Sequence, residues 1–82
     1  MTAQDLHARI QATKNFLNRE LVRNRTNQTT VLTFREIGKK MDMIHEAERV
    51  GVRNLGEYQN RKLTRMINEL EELRNVQQVN LN

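Results

Sequence analysis

The stretch LTFREIGKKMDMIHEAERVGVRN, residues 32–54, holds the start, the body and the end of one helix, and its reading divides the chain. Thr33 and Glu36 stand as T-x-x-E, the capping box in which each side chain meets the other residue's free backbone N–H. Leu32 before the cap and Ile37 four residues after it are placed as a hydrophobic staple. Phe34, Ile37, Met41, Ile44 and Ala47 then recur at helical spacing on one face. Gly38 lies beside that face, where it is expected to permit close helix approach at a propensity cost of about 1 kcal/mol. Nothing breaks the pattern before Gly51, which is positioned for a left-handed C-terminal cap with Val52 folding back over the last turn. A helix over 34–50 follows.

The same opening, TFREIGKKM, has the look of the first limb of a helix-turn-helix DNA reader. That motif wants a turn of three or four residues after its first helix. Here the helix runs on to Gly51, and the next segment, LGEYQN, places an acid where DNA presents phosphate. The stretch reads better as a helix cap.

Outward from it, the spacing predicts two further helices. The first covers 3–24, with Leu6, Ile10, Leu17 and Leu21 on one stripe, Ala3 extending it and Phe16 widening it. Thr13 interrupts the seam with a hydroxyl that the preceding turn's carbonyl can accept. Residues 25–31, opening RTNQTT, form a polar connector, because Thr and Asn side chains compete with helical bonding. The third helix is expected to be capped by Asn54 with Glu57 three residues on, and to turn Leu55, Tyr58, Leu63, Met66, Ile67, Leu70 and Leu73 inward. Glu57 with Arg61, and Arg65 with Glu69, are surface pairs at four-residue spacing. The alternative is that the second and third helices fuse, with Gly51 only a bend. Residues 76–82 are expected to fray as a tail, with Val76, Val79 and Leu81 available to extend the helix or to touch a partner. The fold class is all-α: a single domain over 1–82, a three-helix hairpin or bundle of amphipathic helices that self-associates.

Self-association is expected from size. A single core in 82 residues supplies only about 3–5 kcal/mol of net stability. The chain has no cysteine, so disulfides and thiolate zinc sites are excluded, and His7 and His45 are far apart with no second ligand at metal spacing. No apolar run approaches the length that spans a bilayer, and the N-terminus carries no secretory pattern, which places the chain in the cytoplasm.

No catalytic, cofactor-binding or metal-ligating residues are expected. His45 sits between charged neighbours on a helix, His7 lies on a polar face, and Glu69, Glu71 and Glu72 read as a solvated surface. Carboxylates so placed lack the apolar pocket that separates acid from base roles. The chain has neither a phosphate-cradling Gly-rich loop nor a nucleophile elbow.

Two kinds of binding remain. Residues 1–41 carry a net +5 and residues 42–82 a net −1. Arg9, Lys14, Arg19, Arg23 and Arg25 form a candidate basic face, which could serve nucleic acid in a salt-sensitive way or simply be solvated. Phe16, Phe34 and Tyr58 are few for a stacking platform. Protein binding fits better, because Val22, Met43 and Val50 point away from the main stripes. With Phe16, Val79 and Leu81 they make the candidate partner or self-association surface.

The run from MTAQDLHARI through TFREIGKKM to INELEELRN, with the length and the lack of Cys, Pro and Trp, resembles a family of T-even bacteriophage proteins. These are the cytoplasmic lysis-inhibition accessory proteins of the r-three type, or antiholins. The likeness extends over the whole chain rather than through a motif, and no functional residue is carried over from it. It implies a regulatory protein of the host cytoplasm that delays lysis by binding the cytoplasmic N-terminal part of the holin, alongside a periplasmic antiholin. The reading from the residues keeps a small basic nucleic-acid-binding protein as the alternative.

Overall fold

The structure, a computed structural model, describes the backbone of residues 3–81 and the side chains of residues 5–77. Three α-helices appear in the order α1 (Ala3–Arg25), α2 (Phe34–Val50) and α3 (Glu57–Leu81), with a single 3-10 turn (Val52–Asn54) between the last two. Each helix packs against the other two. The long axis of 38 Å matches the roughly 37 Å expected of the 25 residues of α3.

The capping box of α2 is present in full. Glu36 N–H donates to Thr33 Oγ1 at 3.1 Å and Thr33 N–H donates to Glu36 Oε1 at 2.9 Å. The backbone bond from Thr33 holds the Glu36 carboxyl below its ordinary range. Leu32 and Ile37 are both buried, as the staple requires. Thr33→Ala should cost about 0.5–2 kcal/mol, read as a lowered urea midpoint at unchanged slope.

Helix α1 ends by a device that the connector's composition only hints at. Asn27 takes a φ of 59°, and Gln28 N–H donates back to Arg23 C=O at 2.8 Å while Asn27 N–H donates to Asn24 C=O at 3.2 Å. This is a Schellman ending with Asn in the left-handed position that glycine usually takes. Thr13 is buried and its hydroxyl donates to Arg9 C=O at 2.8 Å, as the sequence suggested.

The break after α2 is real: the second and third helices do not fuse. Gly51 has a φ of 95°, and its N–H still donates to Ala47 C=O. Its ψ of 123° lies outside the left-handed helical region, so the chain leaves the helix in an extended direction. Asn54 does not cap α3. Its side-chain amide donates back to Val50 C=O, and α3 begins later, with Asn60 N–H donating to Gly56 C=O.

The core holds Leu6, Ile10, Phe16 and Leu17 from α1, Leu32 before α2, Ile37, Ile44 and Ala47 from α2, and Leu63, Met66, Ile67 and Leu70 from α3. Leu21, Met41, Leu55 and Leu73 pack against it half-buried, while Phe34 and Tyr58, also expected in the core, lie at the surface. Phe34 is 60% exposed, because Leu32 and Ile37 already fill the space at the start of α2, and Tyr58 is 77% exposed in the first turn of α3. Helix α3 runs through Leu81, and Gln77 is buried.

The long-range polar contacts fix the relative directions of the helices. Lys14 Nζ donates to both Glu48 carboxylate oxygens at 3.1 Å, joining the middle of α1 to the end of α2. Arg9 joins α1 to Glu71 and Asn68 on α3, and eleven residues further along α1 the Glu20 side chain meets Gln77. Helices α1 and α3 therefore run parallel, and α2 runs against both.

Glu20 is a buried junction of polar contacts. It is fully buried; its Oε1 accepts Val31 N–H at 2.8 Å and Leu32 N–H at 3.0 Å, and its Oε2 accepts the Gln77 side-chain amide. One carboxylate thus ties α1, the connector and α3 together. The sequence offered it only as one of three acids in a basic half.

Candidate interaction surface

The sites that were expected to form one partner surface are scattered. Phe16 is 1% exposed, a core residue between helices. It lies at the edge of the main stripe of α1 and is buried only once the bundle closes over it, which a single helix cannot reveal. Met43 and Val50 line a groove between α2 and α3 together with Ala47, Leu55 and Leu63. Val22 is exposed on α1 among Asn18, Arg19, Arg23 and Gln28. Val79 and Leu81 lie outside the residues whose side chains are described.

A different apolar site emerges between α1 and α2. A groove of about 300 Å³ is lined by Leu21, Phe34, Ile37, Gly38 and Met41, with Lys14, Asn18, Arg25, Asp42 and His45 as its polar lining. Phe34 is the exposed aromatic of this group. Gly38 is not a point of close helix approach: a Cβ added there meets nothing within 4 Å. The glycine costs α2 stability without serving any contact within the chain. Gly38→Ala should therefore raise stability by about 1 kcal/mol, visible as a higher thermal midpoint.

The candidate basic face also divides. Arg9 Nε and Nη2 donate to the two oxygens of Glu71 at 3.0 and 2.6 Å, and Lys14 is paired with Glu48. These two cations brace helices together, while Arg19, Arg23 and Arg25 lie in the last two turns of α1. The hairpin brings that end beside the start of α2, with Arg35, Lys39 and Lys40. Residues 19–40 hold six basic side chains against two acids, Glu20 and Glu36, of which the first is buried and the second sits in the capping box. The sequence reading missed this grouping because its members belong to two helices.

The hydrogen bond from Arg9 holds the Glu71 carboxyl below its ordinary value of 4.5. Glu46 is held low in the same way by Arg49 one turn later. A carboxyl depressed in the folded state stabilises above its unfolded value and loses that contribution as pH falls through its folded value. The urea midpoint should therefore fall between about pH 5 and about pH 3. Glu71→Gln should flatten part of that slope, and an unchanged slope would remove the pair from the account.

Among the described residues no three His, Asp or Glu side chains gather as a metal site, and no helix is long and apolar enough to cross a membrane. Comparison with protein-family models, with curated proteins and with solved structures returns no match to this chain.

Proposed function

We propose that this chain is a small regulatory binding protein without catalytic activity, which delays host-cell lysis as an antiholin by holding the cytoplasmic part of the holin. Two things support the reading: the resemblance of the whole chain to the T-even lysis-inhibition proteins, and the exposed Phe34 beside the α1–α2 groove. The second carries it. An aromatic side chain 60% exposed next to Leu21, Ile37 and Met41 contributes little to the fold and much to a contact with another polypeptide. A ligand that binds one holin state in preference to another shifts the assembly equilibrium by its differential affinity, and a soluble protein needs nothing more to delay a lesion.

The six cations between residues 19 and 40 favour a second reading, a nucleic-acid binder. The two readings part on salt. Co-purification of the chain with the holin's soluble segment should survive about 0.3 M salt, where exposed charges are strongly screened. Retention of duplex DNA or RNA that falls steeply over the same range, with no capture of the holin segment, would replace the first reading by the second. In the antiholin reading the chain also self-associates, and sedimentation giving only monomer at high concentration would remove that part.

A further inference from the structure

We infer that the α1–α2 groove around Phe34 seats an acidic amphipathic helix of the partner protein. The inference rests on the chain being a protein-binding regulator and adds the face it uses and the chemistry of the segment it takes. Three independent features of the groove agree on that occupant.

The first is the anchor. Phe34 occupies the first turn of α2, yet Leu32 and Ile37 already form the staple and fill the core there. Its ring stands 60% exposed at the groove. The second is shape. Two antiparallel helices leave a furrow that accepts a third helix along their length, and Gly38 leaves it open where any other residue would place a side chain. The third is charge. Lys14 and Arg25 line the groove against one acid, Asp42, and Arg35, Lys39 and Lys40 stand on the first two turns of α2 beside it, where the one acid, Glu36, is consumed by the helix cap. A partner helix with an apolar stripe and flanking carboxylates meets both the furrow and its surroundings. A bare nucleic acid would satisfy the cations and leave the apolar floor uncovered.

The test uses the full chain and fluorescent peptides of ~20 residues patterned with Leu on one face and Glu on the other, against the same peptides with Lys in place of Glu. Anisotropy should show binding of the Leu/Glu peptide and little of the Leu/Lys peptide. Phe34→Ala should weaken binding at least about tenfold with no loss of helicity. Gly38→Gln should abolish binding while raising the thermal midpoint, a combination that a purely structural glycine would not give. Arg25→Glu with Arg35→Glu should weaken binding and flatten its salt dependence.

Equal binding of the two peptides, no binding of either, or indifference to Phe34→Ala would overturn the inference. So would a Phe34→Ala variant that turns a dimer into a monomer without changing peptide affinity, which would assign the groove to a second copy of the chain. Phe34-dependent retention of a DNA duplex would likewise overturn it. Capture of the holin segment that is unchanged by Phe34→Ala and Gly38→Gln removes the groove and leaves the proposed function standing. Peptide binding without capture of the holin segment does the reverse.

Discussion

Glu20→Ala is expected to leave the chain largely unfolded at 25 °C. The substitution removes a fully buried carboxylate and strands the N–H groups of Val31 and Leu32 and the amide of Gln77. Leaving a buried donor without its acceptor costs about 1–3 kcal/mol, so the three donors stranded together cost about 3–5 kcal/mol or more. That equals the net stability a core of this size is expected to supply. Far-ultraviolet circular dichroism should show most of the helical signal gone. Glu20→Gln should be much milder: its carbonyl still accepts Val31 and Leu32, and its new NH2 can donate to Gln77 once that amide flips. Equal damage from the two variants would mean that the negative charge matters and the hydrogen-bond geometry does not.

Phe16→Ala should cost about 3–5 kcal/mol, the usual loss for a large aromatic removed from a closed core. Phe34→Ala, by contrast, should change stability by no more than about 0.5 kcal/mol, as an exposed substitution away from any cap bond. Urea melts of the two variants side by side decide which phenylalanine belongs to the fold and which to a contact. A mild Phe16→Ala would contradict the buried position at 1% exposure and return that residue to the surface.

The same pair of residues shows what the sequence could and could not convey. The body of each helix was readable from apolar spacing: Leu6, Ile10 and Leu17, then Ile37, Ile44 and Ala47, then Leu63, Met66, Ile67 and Leu70 are all buried. The start and end of α2 were readable because Thr33, Glu36, Leu32 and Gly51 are local devices whose partners lie within five residues. Phe16 and Phe34 were misplaced because a stripe on one helix says nothing about where the second neighbour stands. Asn54 was misread as a cap because a helix N-terminus and a 3-10 turn accept the same residue type; only the backbone path shows its amide returning to Val50.

The polar contacts between helices were the least readable. Glu20 accepts bonds from residues 11, 12 and 57 positions away, and Arg9 reaches Glu71 across 62. No spacing rule within one helix connects them. The candidate site suffered from the same blindness: the α1–α2 groove and its basic surroundings exist only once the hairpin closes and brings Leu21 and Arg25 beside Phe34 and Met41. Gly38 lines that groove, and the close approach to a helix of the same chain that its place beside the stripe suggested does not hold.

The timing of lysis tests the central claim most directly, in host cells that make the holin together with either the wild-type chain or its Gly38→Gln variant at equal level. The account predicts a delay with the wild-type chain and lysis on the holin's own schedule with the variant, although the variant is the more stable of the two proteins. Lysis at the same time with and without the wild-type chain, or an equal delay from both proteins, would contradict it.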